Sequence, residues 1–318
     1  MIDPHQQSGE RLRDRAHGCV LGLALGEALG RPLESLTHQQ ARQELTNAPR
    51  LATGRGDQAA MAMLLAESLL QRGRLDPGDL SARLREWMRG GARDVGHVAA
   101  RALYLQGQGQ PWADSARAAW EEQATRAATA EALVRGAPLA LRPDVDEETL
   151  ARASLAASAV THFDPRCRWA AAALNLMLAR LLRGAGQGLP GSILGLVQER
   201  HVFRALEAIP TLMEGQLEAR NDALLTLQAA AWCALNSNDF RAAVLTAVSL
   251  GGASPLVGAA CGALVGARWG ANQIPAEWLA ALPDAPELIR LADSLIQQRP
   301  PELPGLAPER RNGPTRTA

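Results

Sequence analysis

The stretch Arg15-Ala16-His17-Gly18-Cys19-Val20-Leu21-Gly22-Leu23-Ala24-Leu25-Gly26-Glu27-Ala28-Leu29-Gly30 carries a glycine at every fourth position of an otherwise largely apolar run. A second stretch, Gly258-Ala259-Ala260-Cys261-Gly262-Ala263-Leu264-Val265-Gly266-Ala267-Arg268-Trp269-Gly270, repeats the pattern near the other end of the chain. A period of four keeps the glycines on one face of a helix. Each interior glycine costs about 1 kcal/mol relative to alanine, so two such rows need a compensating benefit, and close approach of a neighbouring backbone is the obvious one. The rows therefore predict two helices packed centrally, with spacing that suits packing on each other. A membrane-spanning pair is the rival reading. Glu27 interrupts the first helix, and the second is apolar only from Pro255 to Ala267, short of the roughly 20 residues a span requires.

Outward from these rows, helical periodicity dominates. It predicts helices over 11–29, 59–72, 80–88, 97–105, 147–160, 166–182, 222–235, 240–250 and 256–269, joined by short segments rich in Gly, Pro, Asp and Asn. Apolar residues make up 47% of the 318 and aromatics 3%, a balance that suits close-packed helices better than sheets. The expected fold is all-α. No Pro- or Gly-rich linker divides the chain, so a single compact helical domain over 11–298 is preferred to two. From Arg299 onward, with prolines at 300, 301, 304, 308 and 314, little is available to bury, and 299–318 is expected to be a disordered Pro/Arg-rich tail.

The 33 basic residues balance 33 acidic ones, so no net field draws the chain to nucleic acid or to a lipid surface. All the basic residues are arginine; Schiff-base and P-loop lysine chemistry are thereby excluded. Cys19, Cys167, Cys233 and Cys261 are far apart, without a CxxC pair or a nearby histidine cluster, and read as buried reduced thiols. Residues 1–15 are polar and charged, with no signal-peptide core. The predicted location is cytoplasmic.

The run from Arg15 to Glu34 resembles the opening of the ADP-ribosylglycohydrolase family, which includes the dinitrogenase reductase-activating glycohydrolases. Further matching stretches follow in the family's order: Met61 to Leu70 (MAMLLAESLL), Arg93 to Gly96 (RDVG), Leu133 to Pro138 (LVRGAP) and Ala159 to Ala170 (AVTHFDPRCRWA). Val248 to Gly252 (VSLGG), Gly262 to Gly270 (GALVGARWG) and Ile274 to Leu279 (IPAEWL) complete the series. The resemblance implies an all-helical globular fold and hydrolysis of the glycosidic bond joining ADP-ribose to a protein side chain. It also implies two magnesium ions held between the ends of several helices.

Magnesium takes hard oxygen ligands in octahedral geometry, so adjacent ions need a cluster of carboxylates. The family's Thr-Asp-Asp-Thr run aligns with Gly56-Asp57-Gln58-Ala59, where one carboxylate remains. Its Asp-x-Asp-Thr run aligns with Ala253-Ser254-Pro255-Leu256, where both carboxylates and the threonine are gone. One carboxylate cannot hold two divalent cations against water, so no binuclear centre and no cofactor are expected. The family's Gly-Asn-Gly phosphate turn aligns with Thr129-Ala130-Glu131, which predicts a bulky anion facing the diphosphate and makes ADP-ribose binding doubtful.

The remaining candidates are vestigial. Glu34 and Asp57 are the catalytic ones, and His162, Asp164 and Arg135 the ligand-binding ones. Each also has a structural reading. Asp57 and Asp164 can cap helices, the latter with Pro165 at the first helical position, and Ser254-Pro255 reads the same way. Arg135 can pair with a local carboxylate, His162 can be hydrogen-bonded at a helix end, and Glu34 can be a solvated loop glutamate. Glu121-Glu122 and the acids of 144–148 read as helix-terminal or surface groups.

The expected function is a pseudo-glycohydrolase serving as a binding or regulatory module, with an unidentified protein as its possible partner. The alternatives are an active ADP-ribosyl hydrolase with a one-metal or metal-free site, and an enzyme whose altered pocket takes another small substrate.

Overall fold

The computed structural model describes residues 4–46, 49–91, 95–123 and 128–298. The predicted tail, and Arg93 and Asp94 of the RDVG stretch, lie outside the described residues. Among the described residues fifteen α-helices follow one another: α1 Pro4–Gly30, α2 His38–Thr46, α3 Asp57–Arg72, α4 Pro77–Arg89, α5 His97–Gly107, α6 Trp112–Gln123, α7 Ala137–Ala140 and α8 Glu147–Ala159. Then come α9 Pro165–Leu182, α10 Arg200–Ala208, α11 Ala223–Asn236, α12 Phe240–Ser249, α13 Ser254–Trp269, α14 Ala276–Ala280 and α15 Ala285–Gln297. Short 3-10 turns join several of them, and the described residues contain no strand.

The two glycine rows meet as expected. α1 and α13 run antiparallel, with Gly18 against Gly266, Gly22 against Gly262 and Gly26 against Gly258, and a Cβ added at any of these six would collide with the opposite glycine's carbonyl. At the end of the row Gly30 lies against Ser254, whose hydroxyl donates to the Gly30 carbonyl at 2.9 Å. The pair forms the axis of the fold. α9, α11 and α12 pack about α13, while α3, α12 and α15 pack about α1. Every residue of α13 from Ser254 to Ala267 is buried, and a helix that is apolar all round belongs in such a core.

α4 begins three residues earlier than periodicity alone predicts, and polar side chains cap it as well as α8 and α11, whose predicted starts lie within a residue of those observed. Asp76 accepts from the Gly78 and Asp79 amides ahead of α4, Asp146 accepts from Thr149 ahead of α8, and Asp222 accepts from Leu224 and Leu225 ahead of α11. The expectation that Ser254 caps α13 is corrected. Ala253 holds the N-cap position without a side-chain bond and Ser254 is the first helical residue, so its hydroxyl joins α13 to α1 instead. Pro255 lies in the first turn, where its missing N–H goes unneeded.

The four cysteines are buried and form no disulfide with one another, and burial pushes the thiols of Cys19 and Cys233 up to about 12, which leaves these two as packing groups. Among the described residues no helix is long and apolar enough to cross a membrane.

Candidate functional site

Where α1 ends, α3 begins and α13 begins, a cleft of roughly 390 Å³ opens, lined among others by Glu27, Arg31, Glu34, Arg55, Asp57, Gln58, Pro255 and Leu256. Three helix ends converge here because the α1–α13 pair terminates at Gly30 and Ser254, and the chain re-enters at Gly56. Two of the sequence candidates, Glu34 and Asp57, come together in this cleft, as do the degenerate positions Gly56, Gln58, Pro255 and Leu256. Pro255 and Leu256 are buried and apolar, Gln58 is buried, Asp57 is half-buried and Glu34 is exposed.

The mouth is shaped by backbone. Ser35 takes a left-handed conformation, φ 63°, and its amide donates to the Gly252 carbonyl at 2.8 Å, while the Gly252 amide donates to Leu36 O at 2.8 Å. Gly251 and Gly252 have φ of 68° and 53°, and a Cβ on either would strike a carbonyl, that of Leu36 or of Ala219. This pair is needed for close backbone approach at a positive φ, and it ties the Glu34 loop to the start of α13.

Glu27 is the functional-looking residue that sequence reasoning missed. It is 3% exposed, and its carboxylate accepts from the Gln58 amide at 2.8 Å and the Ala59 amide at 2.9 Å. It thus caps α3 from α1, satisfying amides that have no partner within their own helix. The expectation that Asp57 is the cap is corrected: Gly56 is the N-cap residue and makes no side-chain bond, and Asp57 is the first residue of the helix. A Cβ on Gly56 would collide with the Glu27 carboxylate, so a glycine at 56 and this placement of Glu27 belong together. Burial pushes the Glu27 carboxyl up to about 7, against the two backbone N–H bonds that lower it. The available signal was the acid itself, set within the glycine row beside the close-packed face.

Around this carboxyl the polar inventory is mixed. Gln58 Oε1 is buried without a hydrogen-bond partner. Arg31 donates to the carbonyls of Thr53 and Gly54 at 3.3 and 3.1 Å, and Arg55 holds Asp284 bidentately at 2.9 and 3.0 Å and Glu287 at 2.6 Å. Among the described residues no three His, Cys, Asp or Glu side chains are grouped to hold a metal ion.

The other candidates lie elsewhere; Arg135, His162 and Asp164 do not line the cleft. His162 is fully buried, so it does not face a ligand pocket. Its Nε2 lies 3.0 Å from Thr129 Oγ1 and 3.3 Å from Glu131 Oε2, and its Nδ1 lies 2.9 Å from Thr161 Oγ1. Glu131 is 2% exposed and accepts from Asn221 Nδ2 at 2.7 Å. The expectation of an anion facing a ligand is thereby corrected: the glutamate points into a closed polar network under Gly96, whose Cβ would overlap its carboxylate. Burial raises the Glu131 carboxyl, but bonding and charge from His162, with Thr129 and Asn221, outweigh it and hold the group at about 2.

Arg135 is 1% exposed and forms no ion pair with a described residue. Its guanidinium donates to Thr161 Oγ1 at 3.0 Å and to the Ala157 and Ser158 carbonyls at 2.9 and 3.4 Å. The pairing expected with a local carboxylate is replaced by bonding to the C-terminal carbonyls of α8, where the helix dipole favours a cation. Burial lowers its pKa to about 10, so it stays charged at neutral pH. Asp164 caps α9 as expected, accepting from the Arg166 amide at 2.8 Å, with Pro165 in the first turn; it is also held by the Arg166 guanidinium at 2.7 Å and Trp120 Nε1 at 3.2 Å. The acids of 121–122 and 146–147 serve ion pairs and caps: Arg117 with Glu121, Arg101 with Glu122 and Arg180 with Glu147, with Asp146 capping α8.

An antiparallel helix pair whose paired ends open a cleft carrying Glu34 and Asp57 is thus the centre of an all-α fold. The sequence model of the ADP-ribosylglycohydrolase family matches residues 8–304, and the chain belongs to that family. It is 29% identical over 310 residues to an ADP-ribosylarginine hydrolase of Serratia proteamaculans (strain 568), covering 91% of this chain and 81% of the relative. It is 28% identical over 287 residues to the ADP-ribosyl-[dinitrogen reductase] glycohydrolase of Rhodospirillum rubrum, covering 86% and 92%. A solved structure described as an ADP-ribosylglycohydrolase-related protein complex superposes with a TM-score of 0.76 at 32% identity, covering 91% of this chain and 99% of that one.

Proposed function

We propose that the chain is a pseudoenzyme of this family, a binding or regulatory module acting through a protein partner rather than through magnesium-dependent hydrolysis. The observation that supports it best is the floor of the cleft, where Pro255 and Leu256 stand at positions for which the family resemblance requires a carboxylate and a threonine. Neither side chain offers an oxygen to a cation. Gln58 contributes a neutral amide in place of a second carboxylate, and both oxygens of Glu27 are taken up by the α3 amides. On this reading the residues do not fit a pair of magnesium ions, since magnesium gives up water reluctantly and needs several hard anionic oxygens. Without such a pair, neither a metal-activated water nor Lewis-acid help at the ribose oxygens is to hand.

The buried network around Glu131 supports the same reading, because the segment aligned with the phosphate turn is packed by its own side chains. The competing reading is an active ADP-ribosyl hydrolase using Glu34 and Asp57 with one metal or none, which acid–base chemistry permits in principle. Titration of the purified protein with ADP-ribose, with and without magnesium, and release assays on ADP-ribosylated arginine and serine peptides separate the two. The expected outcome is no magnesium-dependent binding and no turnover. Turnover abolished by Asp57→Ala would establish the hydrolase instead.

A further inference from the structure

At the opposite end of the α1–α13 pair, three helical turns from Glu27 and on the order of 18 Å away, lies a second cavity of roughly 320 Å³. Arg15, Gln187 and Arg268 line it, with Gly184, Gly186 and the apolar Leu181 and Leu235, and no acidic residue does. Both guanidinium groups stand at its wall. Arg15 Nη1 donates at 3.4 Å to Leu182 O, the last residue of α9, and would lie 2.7 Å from a Cβ on Gly184. Arg268 Nη1 donates to the Ala234 and Leu235 carbonyls at 2.6 and 3.4 Å, in the last turn of α11.

Each arginine thus uses one nitrogen to satisfy a helix C-terminus. The Nε and Nη2 groups make no hydrogen bond to the described residues, and none is a buried unsatisfied atom. Neither side chain forms an ion pair with a described residue, whereas Arg55, Arg83, Arg101 and Arg180 all do. Gly184, at φ 75°, leaves the space that a side chain would take from Arg15. Stacking of Arg268 on Trp269, 4.6 Å from guanidinium carbon to ring centroid, fixes the second fork. Two permanently charged forks line one cavity that no described acidic residue lines, and a doubly charged anion held there would fill their open donors and supply the missing counter-charge.

We propose that this cavity is a binding site for a small phosphate-bearing ligand, separate from the cleft at the other end of the helix pair. Its volume lies at the small end of the range of ligand pockets, which suits a phosphomonoester better than a dinucleotide. Calorimetric titration of the full chain in chloride buffer, with inorganic phosphate and with ribose 5-phosphate as probes, tests it. Saturable binding is expected for at least one probe, unchanged by Asp57→Ala in the cleft and weakened at least tenfold by Arg268→Gln. Because Arg268 also supports α11, Gln187→Glu is the companion variant. Gln187 is exposed and makes no side-chain hydrogen bond to the described residues, so a carboxylate there tests charge without touching the core, and the same tenfold loss is expected. Absence of saturable binding at millimolar probe, or binding untouched by Gln187→Glu, overturns the proposal.

Discussion

Two buried carboxyls carry opposite pH dependences. Glu27 has a folded-state pKa of about 7, raised from 4.5 by burial, so between those values the native state holds a proton that the unfolded state has released. Stability therefore falls as pH rises from about 4.5 to 7, by on the order of 3 kcal/mol if the shift is realised in full. Glu131 is held near 2, so its contribution is complete above 4.5 and is lost as pH falls toward 2. Urea denaturation across this range should show Glu27→Gln flattening the neutral limb and Glu131→Gln flattening the acid limb. A parallel loss of stability at every pH in either variant would contradict the assignment. The candidate carboxylates and their alignment were readable from sequence, but the partners of Arg135, His162 and Glu131 were not. Whether a polar side chain turns toward a cleft or into a closed network depends on residues distant in the chain, such as Asn221 for Glu131.

Elements were legible in proportion to the regularity of their apolar spacing. The glycine rows predicted both central helices and their contact, because a repeated helix-breaking residue is intelligible only against a partner backbone. α2 was missed: of its nine residues only Ala41 is buried, so there is little periodicity to read. The usable signal was the reciprocal Thr37–Gln40 capping pair, which bonds Thr37 N to Gln40 Oε1 at 2.9 Å and Gln40 N to Thr37 Oγ1 at 3.3 Å. α15 buries Leu288, Leu291, Ala292 and Leu295, an i, i+3, i+4, i+7 stripe that could have been read. A pair of substitutions tests the packing claim. Gly262→Ala drives a methyl into the Gly22 carbonyl and should cost about 3 kcal/mol or more, or prevent folding. Gly107→Ala, at the end of α5 with nothing within 4 Å of the new Cβ, should be neutral or stabilise by about 0.5–1 kcal/mol. Equal effects in thermal or urea denaturation would remove the close-approach explanation.

At the scale of the molecule, the cleft lies where helix ends converge, so its chemistry can change by substitution at a few first-turn positions while the axis stays intact. Restoring the aligned carboxylates and threonine with Gln58→Asp, Ala253→Asp, Pro255→Asp and Leu256→Thr together should create magnesium-dependent stabilisation. That amounts to about 2.7 kcal/mol when magnesium is a hundredfold above its Kd. The unaltered protein should show no such rise in melting temperature. A magnesium-induced rise in the unaltered protein would count against the proposed loss of the metal pair.

The antiparallel glycine contact also has a consequence for synthesis. Gly266 is made only after nearly 250 residues beyond its partner Gly18, roughly 10 to 50 s later at ordinary elongation rates. Throughout that interval the glycine face of α1 lacks its native partner, so it must be shielded by transient contacts or by chaperones. Such long sequence separation also slows the folding search. A circular permutant that begins at α13 would leave only α14, α15 and the joined ends between the two helices and so shorten that wait.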